Sequence, residues 1–228
     1  MSYIIIEEEQ LATSSRWNVE SFLFAKKISS FHSDFEVISL SKLVCERKES
    51  VNPSDSPDKE IYYIGLENIS QNDGVLVGDI RKKGFEIKSR SRVFYPGDIL
   101  YGKLRPNLNK CLFVDDNIEG VCSGEIIVLI PNLELINPIF LKELLLSKYV
   151  SQHVMSMTSG ATLPRLNVSE FLNIKVPLPN LDIQNKMANY MSSKRNKIIE
   201  FEREIKCLRE TIVNEFQEFI ESNTIKGQ

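Results

Sequence analysis

The sequence predicts an α+β protein: a mixed or antiparallel, barrel-like sheet domain over residues 1–180, a long coiled-coil helix over 181–222, and a short flexible tail over 223–228. Three observations carry this. Between Glu60 and Ile130, short apolar runs alternate with Gly, Pro, Asn and Asp, the punctuation of an antiparallel sheet. From Asn137 the apolar residues switch to helical spacing. From 182 to 221 they recur every seven residues, with no Pro or Gly to interrupt them.

The elements follow in chain order. NVESFLFAKK, Asn18–Lys27, reads as a helix start capped by Asn18. Val37–Leu43 reads as a strand or a short helix entering the core. The polar, Pro/Ser-rich stretch CERKESVNPSDSPDKE, 45–60, reads as a surface loop. EIYYIGL, Glu60–Leu66, is a strand rich in β-branched and aromatic residues. Asn72-Asp73-Gly74 is a turn. Short strands follow at Gly74–Asp79, Arg92–Tyr95, Asp98–Tyr101, Lys110–Val114 and Glu125–Ile130. Asn137-Pro138 opens a helix with Phe140, Leu141, Leu144, Leu145 and Tyr149 on its apolar side. A loop, TSGATLPRLN (158–167), leads through VSEFLNI to a last strand within LNIKVPLPNL.

The helix after it carries two apolar rows. Gln184, Met191, Ile198, Ile205, Ile212 and Phe219 form one; Met187, Lys194, Phe201, Leu208 and Glu215 form the other, three residues later. Forty helical residues make a rod of roughly 60 Å. An apolar seam of that length must be covered by another helix or a second chain. Met187, Met191, Ile198, Phe201, Ile205, Leu208 and Ile212 are therefore the candidate dimerisation residues. Lys194 and Glu215 interrupt the seam and would set its register at some cost in stability.

Composition narrows the class. With 228 residues, 42% hydrophobic and 26% charged, the chain can bury a real core. No apolar run approaches the 18 or so residues of a membrane span, and MSYIIIEEEQ lacks the basic start of a signal peptide, so a cytoplasmic protein is expected. Cys45, Cys111, Cys122 and Cys207 form no CxxC pair, and only His32 and His153 stand beside them, so free thiols and no metal are expected. The net charge of −3 hides an asymmetry. From Arg81 to Lys110, nine Lys and Arg face two acids, whereas Glu200–Glu221 carries seven acids and three bases. Only the first region suits phosphates.

Enzymatic signatures are missing. There is no GxGxxG, GxxxxGK[ST], GxSxG or HExxH, and no Asn-Pro-Pro-aromatic stretch of the kind an amino-methyltransferase needs. Ser123-Gly124-Glu125 and Ser159-Gly160 read as structural turns, and His153 as a helix or core histidine rather than a base.

The motifs that remain are YYIGLENIS (62–70), GDILYGKLRPNLNKC (97–111), the Cys122-Ser123-Gly124-Glu125 turn, TSGATLPRLNVSEFLNIKVPLPNL (158–181), the Arg16-Trp17-Asn18 lead-in and the heptad helix. In this order they resemble half of the specificity subunit of type I restriction-modification systems, over nearly the whole chain. That subunit carries two target recognition domains, each followed by a long helix; this chain has one of each. The family usually has Pro-Leu-x-Glu-Gln where domain meets helix. Here Pro179-Asn180-Leu181-Asp182-Ile183-Gln184 keeps the Leu and Gln but has Ile183 for Glu.

The resemblance implies double-stranded DNA as partner and no catalysis. It also implies docking of a type I methyltransferase subunit and a restriction (motor-nuclease) subunit; S-adenosylmethionine, ATP and magnesium would belong to those partners. On this reading Lys103, Arg105 and Lys110 reach phosphates, while Asn107 and Asn109 bond backbone or base edges. Arg81, Lys82 and Lys83 add phosphate contacts, as do Lys88, Arg90 and Arg92, whose alternation puts them on one face of an extended segment. Thr158, Ser159, Thr162 and Arg165 form a second candidate loop, in which Arg can pair with guanine through two bonds. Two copies packed antiparallel along the helix would mimic the two-domain subunit and read a palindromic, gapped site. Two alternatives stand beside this: a recognition module detached from a single-chain restriction-methylation enzyme, and a coiled-coil interaction protein with no DNA role. The chain is either a natural half-length subunit or half of a longer one.

Overall fold

The computed structural model describes residues 35–114, 117–158 and 164–223. The helix expected at Asn18–Lys27, and Ser159 and Thr162 of the second candidate loop, lie outside them. Strand β1 (Glu36–Ser39) runs directly into helix α1 (Leu40–Leu43), so both forms expected for this segment are present. The stretch expected as a loop holds β2 (Val44–Glu46), β3 (Ser50–Val51) and a 3-10 turn at Pro53–Asp55. Strands of two or three residues show no alternation for a sequence reading to detect.

Next come β4 (Glu60–Ile64), β5 (Arg81–Lys83), β6 (Ser91–Phe94), β7 (Ile99–Gly102), β8 (Cys111–Phe113), β9 (Gly120–Cys122) and β10 (Ile126–Pro131). Gly74–Asp79 is not a strand. Leu76 alone bridges to Ile69, and Gly74 and Gly78 have φ of 63° and 74°, which an extended run cannot contain. A Cβ on Gly74 would collide with the Cys111 carbonyl, so the Asn72-Asp73-Gly74 turn needs its glycine.

Helix α2 (Pro138–Leu146) begins as expected: the Asn137 side chain accepts bonds from the Ile139 and Phe140 amides at 2.9 and 3.1 Å. It stops at Ser147, whose hydroxyl caps a second helix, α3 (Lys148–Met157), by accepting from Val150 N at 3.3 Å. Tyr149 therefore belongs to α3. The chain closes with α4 (Val168–Leu172), β11 (Lys175–Leu178) and α5 (Leu181–Asn223).

The strands form three sheets: β1 with β11; an antiparallel four-stranded sheet in the order β2-β10-β7-β8; and a five-stranded sheet in the order β3-β6-β9-β4-β5, in which only β4 and β9 pair in parallel. No barrel closes. Alternation explains why. Along β7 and β10, Leu100, Ile126 and Val128 join Ile64, Phe94 and Cys122 in one cluster beneath the five-stranded sheet. Their neighbours Ile99, Tyr101, Ile127 and Leu129 join Leu141, Leu145, Val150, Val154 and Phe171 in a second cluster beneath the helices. The four-stranded sheet is thus apolar on both faces and lies as a middle layer, sheet above and helices below, instead of curling round a single interior.

Helix α5 leaves the domain along α2. Gln184 is fully buried: its Oε1 accepts from Asn137 N at 2.9 Å, and its Nε2 donates to the Leu135 and Pro179 carbonyls at 3.0 and 2.8 Å. It faces the domain, not the seam, contrary to its place in the heptad row. One turn further on Ala188 is buried, and three turns on Arg195 donates twice to Glu143, at 2.6 and 2.7 Å. From Glu200 to Asn223 every residue is exposed.

Candidate nucleic-acid interface

The positive loop that follows β7 is held at its base, where Gly102 N donates to Lys110 O at 2.8 Å. Inside it, Pro106–Leu108 makes a 3-10 turn flanked by Arg105 and Asn109, with φ of 51° and 46°. Two left-handed residues reverse the chain on either side of the turn. Asn tolerates that conformation, which explains residue 109 without any ligand. Its side chain also turns inward: Asn109 is buried and Nδ2 donates to Leu146 O at 2.9 Å, while Oδ1 has no partner among the described residues. Asn109 is therefore a strut of the loop rather than a surface reader.

The loop is seated against two other segments. Lys103 N donates to Glu125 O at 2.8 Å, Arg105 N to Pro164 O at 2.9 Å, and Leu166 N to Lys103 O at 2.9 Å. Leu104 and Arg165 form an isolated antiparallel bridge. The basic loop, the Ser123-Gly124-Glu125 turn between β9 and β10, and the end of the second candidate loop thus meet at one place. Side chains reinforce the junction. Lys103 Nζ donates to Gly124 O at 2.9 Å, and Arg165 donates to both oxygens of Glu125, at 3.2 and 3.0 Å.

The other basic segment reaches the same turn from the opposite side. Gly124 lies against the Arg90 carbonyl, Ser123 N donates to Ile64 O at 3.0 Å, and Lys82 Nζ sits 4.6 Å over the ring of neighbouring Tyr63. Lys103, Arg165 and Lys82 thus gather around one turn, with the Arg165 charge paired to Glu125. Burial raises the Tyr63 phenol pKa, so it stays a neutral hydroxyl at physiological pH.

The predicted cations differ. Arg81, Lys83, Lys88, Arg105 and Asn107 are exposed, and among the described residues the side chains of Arg105 and Asn107 make no hydrogen bond or ion pair. Arg81–Lys83 is also an edge strand, where Lys and Arg discourage edge-to-edge pairing whatever else they do. Arg90 and Arg92 brace the β2–β3 segment: Arg90 Nε donates to Ser50 Oγ at 2.7 Å, and Arg92 donates to Lys48 O at 2.9 Å and lies 3.7 Å from Glu46. The strand begins only at Ser91, so Lys88, Arg90 and Arg92 do not share one extended face. Lys110 is half-buried and donates to Leu66 O at 2.6 Å. Thr158 is buried, its hydroxyl bonded to Val154 O and Met155 O at the end of α3. Lys110 and Thr158 thus have structural work of their own, and Thr158 is not a surface group.

The sequence reading missed Glu125. It lies in a turn read as purely structural, and nothing in its neighbours shows that Arg165, forty residues on, pairs with it. No group of three His, Cys, Asp or Glu able to hold a metal occurs among the described residues. All four cysteines are free, Cys111 and Cys122 buried; burial pushes the Cys122 thiol up to about 12 and Cys111 higher still. No described helix is long and apolar enough to cross a membrane.

Comparison with known proteins defines the class. The model of the type I restriction modification DNA specificity domain matches residues 33–207, and the chain belongs to that family. It is 28% identical over 151 residues to the type I restriction enzyme HindI specificity subunit of Haemophilus influenzae, covering 65% of this chain and 30% of that one. It is 29% identical over 101 residues to the type I restriction enzyme EcoDI specificity subunit of Escherichia coli, covering 44% and 22%. The HsdS subunit from Thermoanaerobacter tengcongensis superposes with a TM-score of 0.62 at 23% identity, over 82% of this chain and 48% of that one. The type I restriction-modification S subunit from M. genitalium does so at 0.52 and 13%, over 79% and 45%. These two likenesses establish the fold, a mixed sheet domain carrying a long helix. The chain spans under a third of the curated relatives' length and about half that of the solved ones.

Proposed function

We propose that this chain is a DNA sequence-specificity component of a type I restriction-modification system, reading one half of a bipartite target. The observation that carries this is the convergence of the Lys103–Lys110 loop and the sequence-distant Arg165 segment on the Ser123–Glu125 turn, in a chain of the DNA specificity domain family. Arg105 and Lys103 supply phosphate contacts that position the domain, and Arg81, Lys82, Lys83 and Lys88 extend them. Asn107, exposed at the tip of the loop, is placed to bond a base edge or the backbone.

The helix gives the second half of the reading. Ile198, Phe201, Ile205, Leu208 and Ile212 are 48–66% exposed along one side of α5. A stripe of that kind on a rod of about 65 Å is covered by a second copy packed antiparallel, with one recognition domain at each end. Such a dimer presents two identical domains to a palindromic, gapped site. Methyltransferase and motor-nuclease subunits then dock on it, bringing S-adenosylmethionine, ATP and magnesium with them.

The test is a single-molecule methylome of a host expressing this chain with a type I methyltransferase subunit. A palindromic gapped motif bearing methyladenine is expected. An asymmetric motif would give the second half-site to a different chain and rule out the homodimer. No new methylation, with both proteins soluble and associated, would overturn the DNA-specificity reading.

A further inference from the structure

Resting on that reading, we infer that Arg165, held by Glu125, is a base-reading residue for a guanine in the target, and that Glu125 is its positioning residue. The argument begins with the guanidinium. It is a planar fork with five N–H donors in fixed directions. Glu125 occupies the Nε and Nη2 side of the fork through two bonds of 3.2 and 3.0 Å. The Nη1 protons and the second Nη2 proton remain, and among the described residues nothing else bonds them. Two parallel donors on that open edge match the O6 and N7 acceptors of guanine in the major groove.

The pair is not needed to hold the backbone. Leu104 and Arg165 already bridge, and the bonds Arg105 N to Pro164 O and Leu166 N to Lys103 O lock the segment on both sides. What Glu125 fixes is the plane and direction of the guanidinium, on a side chain that is otherwise 59% exposed. Charge separates base from phosphate as the target. A carboxylate bound to the guanidinium cancels most of its net charge and repels a phosphate, but leaves the directional donors intact. Arg105, whose backbone amide donates to the carbonyl of neighbouring Pro164 at 2.9 Å, has no such acid among the described residues and keeps its full charge for the backbone of the DNA. One cation positions and its neighbour specifies.

The experiment compares wild-type protein, Arg165→Ala and Glu125→Ala, each with the methyltransferase subunit, by methylome and by binding to a panel of duplexes carrying every base at each motif position. Melting temperatures within a few degrees of wild type verify the fold. Arg165→Ala is expected to lose discrimination at one guanine position by roughly 5- to 150-fold, with the rest of the motif kept. Glu125→Ala, which leaves the arginine free to swing, is expected to relax the same position and no other. Uniform weakening across all duplexes, with the salt slope falling by about 1, would make Arg165 a phosphate contact and overturn the assignment. A wild-type motif unchanged in both variants would overturn it as well. Absence of any wild-type motif would instead remove the reading on which it rests.

Discussion

Tyr101 shows how a residue can be right for the core and wrong in one atom. Its ring stacks on Phe171, with centroids 4.7 Å apart, at the centre of the helical cluster. Its hydroxyl is buried with no hydrogen-bond partner among the described residues, and burial pushes the phenol far above its ordinary value. A buried, unpaired hydroxyl costs more than it returns. Tyr101→Phe is expected to be neutral or to raise stability by up to about 1 kcal/mol, measured by urea unfolding; a loss of that size would mean the hydroxyl has a partner. The same logic sorts the candidate surface. Asn109 and Thr158 carry the polar groups a DNA reader needs, yet both are buried with side chains bonded to backbone carbonyls. Side-chain chemistry is written in the sequence; which atoms are already engaged is not.

At the scale of elements, the junction between domain and helix is the informative one. Asn180 caps α5, its side chain accepting from Ile183 N at 3.0 Å. The family's Glu would sit at Ile183, the position from which a side chain reaches back to the cap's own amide. The substitution noted in the sequence therefore removes half of a capping box and leaves the other half. Ile183 is 39% exposed, so Ile183→Glu loses little burial. It is expected to stabilise the protein by about 0.5–1 kcal/mol, read as a rise in melting temperature; a fall would mean Ile183 packs against something that needs it.

Four turns later Arg195 clasps Glu143, with Lys142 at 3.4 Å. Burial alone would raise the Glu143 carboxyl, but the Arg195 and Lys142 cations outweigh it and hold the group below its ordinary value near 4.5. A carboxyl depressed on folding stabilises the protein above its unfolded pKa, and that contribution is lost as pH falls through the folded value. The helix–domain contact is therefore expected to hold at neutral pH and weaken progressively below about pH 4.5. Arg195→Ala is expected to cost about 2 kcal/mol at pH 7, between the values for exposed and buried pairs. It should also flatten the acid limb of the stability profile. An unchanged acid limb would assign that limb to other carboxylates.

For the whole molecule, the question is what covers the outer half of α5. The helix divides its faces. Gln184, Ala188 and Arg195 turn toward the domain, while Met187, Ile198, Phe201, Ile205, Leu208 and Ile212 stay exposed and Met191 is half-buried. Phe216 and Phe219 add stacked aromatic surface near the far end. Phe201→Asp with Leu208→Asp is expected to convert a dimer to a monomer by light scattering at micromolar concentration, without unfolding the sheet domain. A monomeric wild-type protein would end the homodimer proposal at once.

The sequence by itself determined the fold class, most of the longer strands, the Asn137 cap and the continuous helix. Each of these depends on neighbours close along the chain: period two, period 3.6, a capping amide, a glycine in a turn. It also exposed the concentration of positive charge between Arg81 and Lys110. What the tertiary structure decided depends on contacts between distant residues. The two-faced burial of β7 and β10 makes layers instead of a barrel. Gln184 belongs to the domain although its heptad position assigns it to the seam. Arg165 meets Glu125 across forty residues, and the turn read as inert becomes the meeting point of the basic segments. Periodicity records which way a side chain faces relative to its own element; only packing fixes what lies opposite.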